Sequence, residues 1–336
     1  MDLERRIQAF SELGNRIKNI TSDVFETWAV QAGASNNWFT RENVKTALDG
    51  LALVLEKKKL NEWISAYKTS RTTSRKVGVV MAGNIPCVGF HDMLCVLVSG
   101  HILYAKLSSQ DSALVKNIAK ALIEIEPGFA ERIIFADRLN NIDAVIATGS
   151  DNSARHFKFY FGKMPHIIRQ NRTSAAVLNG QESEQELGLL GKDILQYFGL
   201  GCRNVSKLYV PEDYSFTHFF QSIEYLKPIS QHHKYLNNYD YNKSIFLINR
   251  VEHFDNGFLM LRESESLFSP ISVVHFERYS GIGDLQARLG KWHEKIQILV
   301  GSHQIIPEAV TFGQAQCPTV MDYADGVDTM EFLLNL

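Results

Sequence analysis

Cysteine is scarce in this chain. Four occur among 336 residues, at positions 87, 95, 202 and 317. They give neither the paired CxxC spacing of a zinc site nor the density of a disulfide framework, so a reduced-thiol, cytoplasmic protein is expected. No run approaches the roughly 20 apolar residues of a membrane span. The amphipathic start "MDLERRIQAFSELG" lacks the charged, apolar, small-residue order of a signal peptide. An excess of one charge is missing too. Lys and Arg number 35 against 37 Asp and Glu, a formal net charge of −2, so no overall field favours nucleic acid or an anionic membrane as partner. Clusters such as "EKKKL" (Glu56–Leu60) read as solvated helix faces. Adjacent His232 and His233 have no acidic or cysteine partner at ligand spacing, and no metal is expected. No Gly-x-Ser-x-Gly elbow is present, which argues against a serine hydrolase of the α/β-hydrolase type. No Gly-x-Gly-x-x-Gly loop follows the first strand, so a standard dinucleotide fingerprint is missing.

What is present is enough for about two domains with ample core. From Met1 to about Arg75 the apolar residues recur at helix spacing, as in "LERRIQAFSELGNRI" and "ENVKTALDGLALVLEKKKLNEWISAY". Strands then alternate with helices. "KVGVVMAG", "HILYAKL", "RIIFAD", "IDAVIATGS", "HIIRQ" and "SAAVLN" read as strands; "PCVGFHDMLCVLVSG", "SQDSALVKNIAKALIEI" and "DNSARHFKFYFGK" read as helices. This alternation predicts an α/β protein with a parallel sheet covered on its faces. After Leu178 the pattern restarts. Helical "SEQELGLLGKDILQYF" leads to a turn at Cys202, and "VSKLYVP" is a strand. "FTHFFQSIEYLK" is helix-like, "QHHKYLNNYDYNKS" is polar and aromatic, and "ISVVHFE" and "KIQILVG" are strands.

Several strand ends carry polar groups. Asn84 follows the first strand as either a turn residue or a donor aimed at a ligand. Lys106 closes "HILYAKL", where it is either a surface lysine or, since ligands of open α/β sheets bind at the carboxyl ends of strands, a contact to ribose or phosphate. Thr148-Gly149-Ser150 opens a helix, as an ordinary capped turn or as a seat for pyrophosphate. Cys202, in "FGLGCRNVSKLYVP", is a buried structural thiol or a nucleophile at a chain reversal.

The order of these features, a strand ending in "AGN", one ending in lysine, one ending in "TGS", then "GLGCRNVSKLYVP", resembles the aldehyde dehydrogenase superfamily. Within it, "GCRNVSKLYVP", "GNIPCVGFHDMLCVLVSG" and "NNYDYNKSIFLIN" are similar to the LuxC-type acyl-CoA reductases, which reduce fatty acyl thioesters to aldehydes. The resemblance runs from about Lys76 to the C-terminus. It implies an aldehyde-dehydrogenase-like fold: a helical N-terminal segment (1–75), a cofactor-binding α/β domain (76–178) and a catalytic α/β domain (179–310). A C-terminal return segment with an edge strand (311–336) completes it. It implies Cys202 as nucleophile, with the Asn84 amide in the oxyanion hole. It also implies Lys106 and the Thr148, Gly149 and Ser150 turn at the cofactor, Phe268 beside the nicotinamide ribose, and Phe312 and Gly313 in the lining of the site. Ser109 stands where the superfamily often has a glutamate that grips the ribose hydroxyls. Serine tolerates a 2′-phosphate, so NADPH is the expected cofactor, with NADH accepted.

Two departures accompany the matches. The glutamate base of the hydrolytic dehydrogenases falls in register with Arg169-Gln170-Asn171-Arg172, with Glu182 out of register. Ser266 stands in the place of the glutamate that holds the nicotinamide ribose, with Glu265 just before it. An acyl-enzyme bound for hydrolysis needs an activated water, whereas one bound for hydride reduction does not. The expectation is therefore NADPH-dependent reduction of a long-chain acyl-CoA by a homodimer. The alternatives are a reductase fed by a partner acyltransferase and a degenerate nucleotide-binding subunit.

Overall fold

A computed structural model describes residues 1–68 and 73–336. The part of the helical N-terminal segment expected at 69–72 lies outside the described residues. The chain divides into two units: Met1–Asn171 with Pro318–Leu336, and Arg172–Cys317.

The first unit opens with helices α1 (Leu3–Lys18), α2 (Ser22–Ser35), α3 (Arg41–Val54) and α4 (Lys57–Ser65). Asp2 caps α1 by accepting from the Arg5 amide at 2.8 Å, and Thr40 caps α3 through the Asn43 amide at 3.2 Å. The α/β part follows as β1 (Lys76–Val80), α5 (Phe90–Ser99), β2 (Ile102–Lys106), α6 (Ser112–Ile125) and β3 (Ile133–Phe135). It continues through β4 (Ala144–Thr148), α7 (Asp151–Phe161) and β5 (His166–Arg169). The five strands are parallel in the order β3-β2-β1-β4-β5. That doubly wound order puts β1 at the centre, with β2 and β4 on either side. Helix α5 is apolar around its whole circumference, which matches its burial: Met93 to Ser99 are all buried. Gly100 ends it at φ 95°, a conformation that costs a residue with a Cβ about 1 kcal/mol or more. Residues of α1, α3, α5, α6 and the strands share one hydrophobic core.

The second unit contains β6 (Thr173–Val177), α8 (Glu184–Leu195), β7 (Val205–Pro211), α9 (Thr217–Ile223) and α10 (His233–Ile248). It ends with β8 (Phe254–Asp255), β9 (Met260–Glu263), β10 (Val273–Tyr279), α11 (Ile282–Trp292) and β11 (Ile296–Gly301). Its sheet runs β11-β6-β7-β10-β9-β8, parallel except for the β8–β9 pair. A capping box starts α8: Ser183 accepts from the Glu186 amide, and Glu186 accepts from the Ser183 amide. The polar stretch "QHHKYLNNYDYNKS" is helix α10. Its buried residues Tyr235, Tyr239, Asn242 and Phe246 recur every three or four positions, so one thin stripe is enough to dock a helix that is otherwise polar.

Two expectations need correction. The division falls after Asn171 rather than near residue 178, because β6 pairs with β7 and β11 of the second sheet. The C-terminal edge strand is instead a helix, α12 (Thr329–Leu334), which belongs to the first unit. Asp328 caps it by accepting from the Glu331 amide at 2.8 Å, and Met330 and Leu333, three apart, enter the core beside α5. Cap and spacing favour a helix, and Asp325 and Gly326, at φ 60° and 67°, break any extended run into it. No helix among the described residues is long and apolar enough to cross a membrane.

Candidate active site

In the first unit three adjacent strands end at one edge. Val80 of β1 lies opposite Lys106 of β2 and opposite Ala147 of β4, so Asn84, Lys106 and Thr148 all emerge there. Asn84 is partly buried in the turn after β1, and Lys106 and Ser109 are exposed. Ser150 caps α7, its Oγ accepting from the Ser153 amide at 3.2 Å. A Cβ on Gly149 would stand 2.7 Å from Ser153 Cβ and 3.0 Å from the Phe157 ring, so only glycine fits. The structure thus brings Asn84, Lys106, Ser109, Thr148, Gly149 and Ser150 together at the carboxyl edge of one sheet.

The loops there are packed on each other. A Cβ on Gly83 would meet Ser108 Oγ at 2.5 Å and the Asp111 nitrogen at 3.2 Å. Cys87, at φ 61°, donates its amide to Asp111 Oδ2 at 2.7 Å. Asp111 is buried and its Oδ1 has no hydrogen-bond partner among the described residues. Burial pushes this carboxyl up to about 7, against the pull of the Cys87 amide. Burial also pushes the Cys87 and Cys95 thiols up, which makes them poor nucleophiles.

The position that the resemblance sets in register with the hydrolytic base holds a cation. Arg169, at the end of β5, is buried and donates to both Asp92 oxygens at 2.9 and 2.7 Å, and to Thr329 Oγ1 at 2.8 Å. Burial works against its charge, but Asp92 more than offsets this and holds its pKa above the usual value. Glu182, in the second unit, accepts from the Asn179 and Gly180 amides at 2.6 and 3.1 Å.

Cys202 is exposed in the turn between α8 and β7. The approach to it is tightly wound: Tyr197, Phe198 and Gly199 have φ of 52°, 59° and 77°. Two of these are not glycine, and each costs about 1 kcal/mol or more in that region. The Phe198 ring stacks on His232 with centroids 4.3 Å apart, and Asn204 holds the turn from within. Its Oδ1 accepts from the Gly201 amide at 2.8 Å. Its amide nitrogen donates to the carbonyls of Asp193, Ile194 and Gln196 at 3.1, 3.2 and 2.9 Å. These are free carbonyls at the end of α8, so one buried asparagine both caps the helix and fixes the turn. Ser174 Oγ donates to the Cys202 carbonyl at 3.0 Å.

A second brace runs to the segment at 312–315. Buried Asp193 accepts from the Gly313 and Ala315 amides at 2.6 and 3.0 Å, and Arg203 Nε donates to the Ala315 carbonyl at 2.5 Å. Arg203 therefore has a definite task, holding this segment against the cysteine turn. Burial pushes Asp193 up to about 6, against the two amides and Arg203. Gly313 has φ 83°, and Phe312 is buried. Phe268, 38% exposed, lies on the loop from β9 to β10; Ser266 Oγ donates to its carbonyl at 3.1 Å, and Glu265 pairs with Lys291 at 2.9 Å.

Sequence reasoning missed Asp193, Asn204 and the Arg169–Asp92 pair as builders of these sites. A usable signal existed for Asp193: an acid beside Leu190 and Ile194 on the buried side of α8 must find partners. Among the described residues no group of three or more His, Cys, Asp or Glu could hold a metal ion.

No protein-family model and no curated protein matches the sequence. Solved structures do match the fold. An aldehyde dehydrogenase from Physcomitrella patens in complex with succinate aligns with a TM-score of 0.67 at 12% identity, over 100% of this chain and 84% of that one. An NAD-dependent aldehyde dehydrogenase from Sinorhizobium meliloti aligns with 0.63 at 11%, over 92% and 73%. Aldehyde dehydrogenase C from Pseudomonas syringae, as a cysteine-to-alanine variant with NAD+ and octanal, aligns with 0.67 at 9%, over 93% and 76%. The fold is thus aldehyde-dehydrogenase-like, with α/β units built on largely parallel sheets.

Proposed function

We propose that the protein is a nicotinamide-dependent oxidoreductase acting at the aldehyde level, and specifically that it reduces a long-chain fatty acyl-CoA to the aldehyde through an acyl-enzyme on Cys202. The observation that carries the choice of reduction over hydrolysis is Arg169. The residue in register with the hydrolytic base is a buried arginine committed to Asp92 and Thr329, and it cannot take a proton from water. The edge of the first sheet suits a dinucleotide. The N-terminus of α7 fits a pyrophosphate, and exposed Lys106 and Ser109 fit a phosphorylated ribose. When bound there, the reduced cofactor supplies hydride.

The chain's own residues do the rest. Cys202 as thiolate attacks the acyl carbonyl, and the CoA thiolate leaves and is protonated. This exchange of one thioester for another is nearly balanced in energy. The Cys202 backbone N–H serves the developing oxyanion. Reduction of the acyl-enzyme leaves a thiohemiacetal on Cys202, which loses its hydroxyl proton and collapses, releasing aldehyde and the Cys202 thiolate. Burial raises the Cys87 and Cys95 thiols, and the thiol of Cys317, exposed like Cys202, is raised as well.

The experiment is NADPH oxidation with acyl-CoAs of graded length, with aldehyde trapped as product. One NADPH per aldehyde is expected; no oxidation at any chain length overturns the reading.

A further inference from the structure

Asp193, in the last turn of α8, belongs to both braces of the Cys202 turn. Its backbone carbonyl accepts from Asn204 Nδ2 at 3.1 Å, and Asn204 in turn holds the Gly201 amide. Its buried carboxylate holds the 312–315 segment, Oδ2 accepting from the Gly313 amide at 2.6 Å and Oδ1 from the Ala315 amide at 3.0 Å. Ala315 is gripped from its other side by Arg203, the residue after Cys202, whose Nε donates to the Ala315 carbonyl at 2.5 Å. The segment also sits close on α8, where a Cβ on Gly313 would stand 2.8 Å from Leu189 Cδ2.

These contacts depend on charge. Both partners of the carboxylate are backbone N–H groups, which donate and cannot accept. Ionised Asp193 satisfies both. Protonated Asp193 turns an O–H toward one of them and loses that bond, so the clamp closes fully only on the anion. Burial pushes Asp193 up to about 6, which places the change between mildly acidic and neutral conditions. Arg203 and the Cys317 thiol are the ionisable groups that act on it from the neighbouring segments; Lys192, beside it on α8, is exposed. The turn that the clamp steadies is strained at Tyr197 and Phe198, with φ of 52° and 59°, and such backbone persists only where its surroundings hold it.

We propose that Asp193 is a positioning residue for Cys202: its charged carboxylate holds the 312–315 segment against the cysteine turn, and Cys202 is presented for attack only while that clamp is closed. The proposal rests on Cys202 as the nucleophile of the reaction above. It gives that reaction an acid limb that belongs to Asp193 rather than to the thiol.

The test follows the rate of Cys202 modification on the full chain from about pH 5 to about pH 8, by mass with peptide mapping. Two probes are used: a long-chain acyl-CoA, and iodoacetamide, which reports the thiol whatever the natural substrate. Thiolate formation alone makes the rate fall about tenfold per pH unit on the acid side. The wild type is expected to steepen below about pH 6 toward about a hundredfold per unit, because two ionisations are then required. Asp193→Asn should react more slowly near neutrality and keep the about tenfold slope throughout. Arg203→Met, which leaves the carboxylate in place, should keep the steep limb and move it to higher pH, since Arg203 lowers the Asp193 pKa. A wild type that does not steepen, a steep limb that survives in Asp193→Asn, or a limb that stays put in Arg203→Met each overturn the proposal. Should Asp193→Asn not fold, the wild-type slope and the Arg203→Met shift decide. A steep alkylation limb at a Cys202 that takes no acyl group from acyl-CoA supports the clamp and overturns the acyl-CoA reading instead.

Discussion

Asn204 illustrates how much of the cysteine turn depends on one residue. It serves three α8 carbonyls and the Gly201 amide from a buried position, so Asn204→Ala leaves several polar groups unpaired at about 1–3 kcal/mol each. The expected result is a loss of about 3 kcal/mol or more in urea denaturation, together with slower acylation of Cys202. A variant that keeps both would show that the turn is held otherwise. Asp111 and Asp193 act on pH dependence. Both are raised in the folded protein, to about 7 and about 6, whereas in the unfolded chain they titrate near 4. Between about pH 4 and 7 unfolding therefore releases protons, and stability falls as pH rises through that window and levels off above it. Melting temperatures from pH 5 to 8 should decline less for Asp111→Asn than for the wild type; equal slopes would refute the shift. Cys202 was legible as a candidate from its neighbours in sequence. For Asp193 the sequence signalled only a need for partners and not which ones, because Gly313 and Ala315 lie 120 and 122 positions away.

At the scale of elements, the alternation of short β-branched strands with amphipathic helices was legible as far as β7, since each period is local; β8, β9 and α11 were not read. One element left unassigned and one misread lie where local pattern and context diverge. Helix α10 carries too few apolar residues to announce itself, and α12 shows apolar residues that suit either period until its Asp328 cap is weighed. Helix α12 is tied to the first unit by Thr329 on Arg169, by the Leu333 carbonyl on His101, and by the Tyr67 hydroxyl donating to Asp328. Arg169→Met should cost about 3–5 kcal/mol, because it strands the Asp92 charge. Arg169→Met with Asp92→Leu should recover most of that loss in thermal or urea melts. A double variant as unstable as the single would mean that the ion pair is worth more than its replacement by apolar packing.

At the scale of the molecule, two α/β units follow from sequence pattern, whereas the strand orders show only in the pairing. The division after Asn171 does not follow from it either, because only pairing shows that β6 belongs with β7 and β11. The candidate residues fall into two sets: the strand-end groups around Asn84, Lys106 and Gly149 on one unit, and the Cys202 turn on the other. Under the proposed function, one unit binds the reductant and the other carries the acyl group. Replacing the nucleophile, Cys202→Ala, should lower aldehyde formation by at least about 10⁴-fold while leaving NADPH affinity within about twofold.

The most direct measurement is intact-protein mass spectrometry of Cys202 acylation, followed in time before and after NADPH is added. With a long-chain acyl-CoA alone, the account predicts a mass gain of one acyl group, located at Cys202 and persistent because no base activates water. On addition of NADPH the adduct should disappear with one aldehyde formed per adduct lost. An adduct that decays to free fatty acid without cofactor, or acylation elsewhere than Cys202, would contradict it.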